Sequence, residues 1–201
     1  MANKTVILID NGHGKETPGK CSPDGSLKEY AWAREVACMV CDILQAEGYS
    51  AKLLVPEERD VPLAERAARA NKFDKNKSVL VSVHVNAAGS DGRWRNARGW
   101  RIFTTRGVTE ADTLAEHIWK AAKATFKAPL TVGSYSSMPL GHDWENDFYI
   151  IKKSYMPAVL VENFFQDNKE DVAYLKTDAA KAACAEVIVQ GIKDYFRNGR
   201  K

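Results

Sequence analysis

Short apolar runs alternate with longer amphipathic stretches along this chain, and three of the runs stop at a histidine or a glutamate. Val6, Ile7, Leu8 and Ile9 form an unbroken run of β-preferring residues, the pattern of a strand covered on both faces by helices. It breaks at Asp10-Asn11-Gly12-His13-Gly14. The two glycines allow a sharp turn, and His13 sits between them at the C-terminal end of the strand, where open α/β sheets place their sites.

The pattern then switches period. Leu27, Tyr30, Ala31, Ala33, Val36, Ala37, Val40, Ile43 and Leu44 recur at helical spacing up to Gly48, predicting a helix from about Leu27 to Glu47. Ser26 is a candidate N-cap, with Glu29 completing a capping box. Tyr49–Val55 reads as a strand, and Pro62 opens a helix over about Leu63–Lys72. Ser78–Ala87 is a strand on which Ser82, His84 and Asn86 share a face. Gly99–Thr105 and Phe148–Lys152 are further strand candidates, and Glu110–Phe126 is an amphipathic helix with His117 on its surface. Pro157–Glu162 is a buried strand ending in a carboxylate. Asp171–Leu175 and Ala179–Phe196 read as helices. Pro129–Asp147 is the one long irregular stretch, of the kind that forms lids or binding loops. The alternation predicts an α/β fold, with no internal boundary across residues 1–201.

Composition narrows the function classes. A net charge of +3 is too balanced to argue for nucleic acid or membrane binding, and no segment is apolar for long enough to span a bilayer. The first apolar run leads directly into the glycine turn without a cleavage site, so no signal peptide is expected. Of the four cysteines, Cys38 and Cys41 form a CxxC inside a helical pattern with no second pair to complete a zinc site. They read as small apolar residues. Gly14–Cys21 resembles a phosphate-binding loop, but Cys21 stands where a hydroxyl is needed, and Ser22-Pro23-Asp24-Gly25 delays the helix. Arg93–Arg101 interleaves arginine with tryptophan, a pattern open to nucleic acid or sugar stacking, or simply to a surface loop.

The chemistry gathers on one edge. In a parallel sheet the ends of the strands carrying His13, His84 and Glu162 lie together. A crossover helix runs antiparallel to its strands, so its first turn, with Glu29, lies over the same edge. Two histidines and a glutamate form a three-ligand catalytic zinc site with a position open to water, leaving Glu162 to move the proton. Taken singly, Glu29 is also explained as a capping residue and Glu162 as a strand-end charge.

With these residues assembled, the chain resembles the zinc-dependent N-acetylmuramoyl-L-alanine amidases, which include bacterial cell-separation amidases and many phage endolysins. The resemblance spans nearly the whole chain. It runs through Ile9–Gly14, Glu29, Arg66 with Ala70-Asn71, Ser82–Ala87 and Pro157–Phe165. It implies a mixed, mostly parallel sheet flanked by helices, with His13, Glu29 and His84 as Zn²⁺ ligands and Glu162 as catalytic acid/base. Asn86, on the face of His84, is expected to touch substrate. The implied substrate is peptidoglycan, cut between N-acetylmuramic acid and the first L-Ala of the stem. Asn163 departs from the glycine usual after the catalytic glutamate and is expected to reshape the site entrance. Tyr135–Asp147 matches no family pattern. Without a leader, a cytoplasmic endolysin acting on the wall after release is favoured over a secreted amidase whose leader has been removed. A non-catalytic wall-binding relative, a zinc peptidase cutting within the stem and a nucleotide binder are the rivals.

Overall fold

The computed structural model describes residues 5–135 and 141–199. Strands β1 (Val6–Asn11), β2 (Ser50–Leu53), β3 (Ser78–Asn86), β4 (Arg101–Thr104), β5 (Trp144–Glu145) and β6 (Ala158–Phe165) form one sheet in the order β2-β1-β3-β6-β4-β5. The β2, β1, β3 and β6 ladder is parallel, β4 runs antiparallel to β6, and β5 is parallel to β4. The helices are α1 (Glu29–Ala46), α2 (Leu63–Ala70), α3 (Glu110–Thr125), α4 (Tyr149–Lys153), α5 (Lys169–Leu175) and α6 (Asp178–Asp194). The expected mixed, mostly parallel sheet with helices on both faces is what forms.

Strand alternation divides the core in two. Ile7, Ile9, Val79, Val81, Val83, Val159, Val161 and Ile102 pack under α1, α3 and α6. Leu8, Leu80, Leu160 and Phe103 face α2 and α4 instead. The two layers are unequal. Helices α1, α3 and α6 have 18, 16 and 17 residues and cover their face, whereas α2 and α4 have 8 and 5. The same parity that points Leu8, Leu80, Leu160 and Phe103 at the short helices also carries Asp10, Ser82, His84, Glu162 and Arg101. The chemistry therefore continues an apolar row to where its helical cover runs out.

Several local expectations change. Phe148–Lys152 is not a strand: Tyr149–Lys153 is helical and buries Ile150 and Ile151 against the sheet. Five residues rich in β-branched and aromatic side chains fit a strand or a single helical turn, and packing decides. The first turn of α1 has no capping box. Its N-cap is Lys28, without a side-chain cap, while Ser22 Oγ accepts from Leu27 N and Asp24 accepts from Ser26 N. β6 runs past Glu162 to Phe165, so Glu162 lies within its strand. Within the irregular stretch, Trp144–Glu145 forms β5, and Ser136–Leu140 lie outside the described residues. Cys41 and Cys184 are buried, and all four cysteines are free thiols.

Helices α3 and α6 approach closely at Gly191, where a Cβ would come within 2.4 Å of Ile118 Cα, a backbone atom that cannot yield. Gly191→Ala is therefore expected to cost about 1–3 kcal/mol of stability, read as a lowered midpoint in chemical denaturation.

Candidate metal centre

The turn after β1 is not built as its glycines suggest. Neither Gly12 nor Gly14 takes a left-handed conformation; His13 does, at φ 61°. A Cβ on Gly12 would lie 2.3 Å from Cε1 of His84, and one on Gly14 would lie 2.2 Å from the Asp60 backbone. The glycines are needed for close approach, one to an imidazole and the other to a neighbouring loop. The non-glycine strain falls on the functional residue itself.

That strain is held from below by Arg66 of α2, which is buried. Its guanidinium donates to the His13 carbonyl at 2.7 Å, the Asn11 carbonyl at 2.5 Å and Asp10 Oδ1 at 2.8 Å, and its Nε donates to the Val61 carbonyl at 2.9 Å. The other oxygen of Asp10 accepts from Ser82 Oγ at 2.6 Å. Ser82 has given its only proton to a carboxylate, so at 3.1 Å it can only accept from His84 Nε2. The Asp10–Ser82–His84 chain thereby leaves His84 Nδ1 to face the site.

Three side chains meet there. His84 Nδ1 is 3.1 Å and His13 Nε2 3.3 Å from Glu29 Oε1. Val85 N also donates to Oε1, at 3.1 Å, while Glu29 Oε2 is buried with no partner. Burial opposes ionisation of Glu29, but hydrogen bonds and charge from His13 and His84 outweigh it and hold the carboxyl below its ordinary range. Burial likewise lowers the His84 pKa, yet Glu29 reverses the sign and raises it. For the more exposed His13, burial prevails and the pKa falls.

These residues fit a divalent ion. Donors bound tetrahedrally at zinc-like bond lengths of about 2.0–2.1 Å lie about 3.3 Å apart, close to the two spacings observed. The orphaned Glu29 oxygen and the outward-fixed His84 nitrogen are the donor arrangement of a ligand set with its outer hydrogen bonds already made. His13, Glu29 and His84 form the one such cluster found among the described residues.

Glu162 pairs in register with His84 on one side and Arg101 on the other, and Oε2 of its buried carboxyl is unpartnered. Burial pushes its pKa up to about 8; His84, Lys20 and Arg101 pull it back, while the Glu29 charge adds to the rise. His13, Lys20, Glu29, His84, Asn86, Arg101, Trp144 and Glu162 line one cavity of about 490 Å³. Asn86 is at its wall, its Oδ1 accepting from Ala87 N.

Other candidates lie elsewhere. His142, in the long irregular stretch, is hydrogen-bonded to Glu116 at 2.9 Å and stacks on Trp119 with ring centres 3.6 Å apart, and it is not part of the His13, Glu29 and His84 cluster. Asn163 does not face the entrance. It is buried, accepts from Trp100 Nε1 at 3.2 Å and donates to the His84 carbonyl at 3.1 Å. It braces β4 and β3 from the opposite face. The Arg93–Arg101 stretch divides: Trp94, Arg95 and Arg98 line a surface groove with Lys169 and Glu170, whereas Trp100 is in the core and Arg101 is at the site. Arg101 and Trp144 were not identifiable from their motifs. The signal available was parity, since Arg101 shares the face of Phe103.

Comparison with known proteins gives the family. Residues 7–194 match the N-acetylmuramoyl-L-alanine amidase family. The chain belongs to that family. It is 26% identical to the N-acetylmuramoyl-L-alanine amidase AmiC of Neisseria meningitidis over 96% of this chain and 53% of that protein. It is also 26% identical to the endolysin of Bacillus phage SPP1, over 98% and 68% respectively. The chain thus spans about half the length of the Neisseria relative. The solved structure of the amidase AmiC2 of Nostoc punctiforme superposes with a TM-score of 0.82 at 25% identity, covering 98% of this chain and 100% of that one.

Removing one partner of a buried ion pair leaves the other charge uncompensated. Arg66→Met should therefore cost about 3–5 kcal/mol, seen as a lowered melting temperature of the protein.

Proposed function

We propose that this amidase is a zinc enzyme that hydrolyses the amide between N-acetylmuramic acid and the first L-Ala of the peptidoglycan stem. One observation carries the proposal: His13, Glu29 and His84 converge on a common point beside the buried, unpartnered Glu162 carboxyl, inside one cavity of a chain of this family. When bound, Zn²⁺ brings the pKa of water toward neutrality and polarises a carbonyl oxygen.

The protein's own groups supply the rest. His13, Glu29 and His84 serve as ligands, with Asp10, Ser82 and Arg66 fixing two of them. Glu162 takes a proton from water and delivers it to the departing amide nitrogen. Burial favours the protonated form of this carboxyl, the direction that lets it hold the proton taken from water before passing it on. Asn86, at the cavity wall, is assigned to substrate contact. Peptidoglycan is the partner; no helix among the described residues is long and apolar enough to cross a membrane. We place the enzyme's action on the cell wall after release from the cytoplasm, a setting supported by its likeness to a phage endolysin.

Two predictions follow from these roles. The purified protein should hold one Zn²⁺ per chain by elemental analysis, and both His13→Ala and His84→Ala should lose it; full retention in both would remove the ligand assignment. Glu162→Gln should keep fold and zinc but lose at least about a hundredfold in rate. Mass spectrometry of peptidoglycan digested by the wild type should show stems with a free N-terminal Ala and no new reducing ends. New amino groups elsewhere in the stem would instead identify a peptidase.

A further inference from the structure

The proposed reaction does not use Arg101, yet this side chain stands in the same cavity, feeling the Glu162 carboxyl electrostatically but forming no ion pair with any described residue. It lies on β4 directly opposite Glu162 in the β4–β6 ladder. Its guanidinium carbon is 4.6 Å from the ring centre of Trp144 and 4.9 Å from that of Phe165. Two aromatic faces hold the group by cation–π attraction, which fixes its plane but satisfies none of its N–H donors. The Arg101 side chain makes no hydrogen bond and no ion pair with any described residue, and its Nε is buried without an acceptor. Trp144 Nε1, on the ring that packs against it, is also a buried donor without an acceptor.

Buried donors are rarely left unpaired in a folded protein, and an arginine so placed costs stability unless something answers its charge. Two adjacent orphan donors on one wall, one belonging to a planar cationic fork, match a carboxylate, which takes arginine through two parallel hydrogen bonds. Glu162 does not fill the role: its own Oε2 is unpartnered, and no ion pair joins it to Arg101. A stem peptide cut at its first residue brings carboxylates into the cavity on the residues that follow.

Building on the amidase reading above, we propose that Arg101, held between Trp144 and Phe165, binds a carboxylate of the stem peptide and makes this enzyme selective for stems that carry one close to the scissile bond. The candidate carboxylates are the α-carboxylate of the second stem residue and the side-chain carboxylate of a diamino-acid third residue. Arg101 is thereby a specificity determinant of this cavity, additional to the zinc ligands and Glu162.

The experiment uses soluble N-acetylmuramoyl tripeptides that differ only in those groups. One has a free and another an amidated α-carboxyl at the second residue; a third exchanges a diaminopimelate third residue for lysine. Wild type, Arg101→Lys and Arg101→Gln are compared by kcat/KM, with zinc content and melting temperature measured in parallel. The wild type is expected to prefer one carboxylate-bearing substrate over its neutral counterpart by about tenfold or more, the scale of a charge-assisted hydrogen bond. Which pair shows the preference identifies the carboxylate. Arg101→Gln should abolish that preference, with a larger loss on the acidic substrate than on the neutral one, and Arg101→Lys should restore part of it. Equal wild-type rates on both pairs would overturn the proposal. So would an Arg101→Gln loss shared equally by all substrates with a displaced pH profile, since that behaviour belongs to a residue acting through Glu162. If no substrate is cut at the muramoyl amide by zinc-loaded wild type, the amidase reading fails instead, a result distinguishable from cleavage without preference.

Discussion

The structure depends on burying the carboxylate of Glu29. A lone carboxylate in a low-dielectric interior would cost far more than a fold can supply. Glu29 is nevertheless almost fully buried at the first turn of α1. It is tolerated because the surroundings are positive or donating: the helix N-terminus, the Val85 amide, and two imidazoles brought within 3.3 Å. Each condition makes a demand elsewhere. His13 reaches Glu29 only from a left-handed backbone, and Arg66 holds that backbone through the His13 carbonyl. His84 reaches it only because residue 12 has no side chain. Even so, one oxygen of Glu29 has no partner. An unpartnered carboxylate oxygen beside two imidazoles, on a geometry already set by the backbone, is preorganisation toward a cation.

The two faces of the sheet divide the labour. Under α1, α3 and α6 the alternate residues of every central strand are apolar, and the layer is continuous. On the other face the short α2 and α4 cover only part of the same strands. Asp10, Ser82, His84, Glu162 and Arg101 occupy the positions next along those rows. A residue there can be polar without being stranded in the core, yet it is surrounded closely enough for burial to raise the pKa of Glu162 to about 8. Partial cover is therefore what allows a carboxyl to be both shielded and reachable.

Much of this was legible in the chain, and the parts that were not have a common cause. The parallel strands announced themselves through uninterrupted apolar runs, and the edge carrying His13, His84, Glu29 and Glu162 followed from the direction of crossover connections. Local signals misled where two physical roles share one pattern. Glu29 follows Ser26 at capping-box spacing, but its carboxylate is drawn to imidazoles rather than to the helix backbone. Gly12 and Gly14 look like conformational hinges and prove to be clearances. Asn163 follows the catalytic candidate and was expected at the entrance, whereas strand alternation sends it to the opposite face, where it satisfies Trp100 Nε1 and the His84 carbonyl. Trp144 could not be placed at all, because β5 has two residues and exists only by pairing with a strand distant in sequence.

The Asp10–Ser82–His84 chain shows how register sets tautomer. Asp10 and Ser82 are partners across β1 and β3, and His84 lies two residues further along the same face, so the three polar groups stack along one row. Arg66 pairs with Asp10 from below, and a carboxylate only accepts hydrogen bonds. Ser82 must then donate to Asp10, and His84 must donate to Ser82. The hydrogen bond made by His84 Nε2 is thus directed by an arginine that does not touch the ring. A slip of one residue between β1 and β3 would turn this row to the opposite face, separating Asp10 from Ser82 and leaving Arg66 without its counter-ion. The apolar runs on either side of the row prevent that slip, because it would also expose Ile9 and Val81. Core packing and site electrostatics therefore enforce the same register.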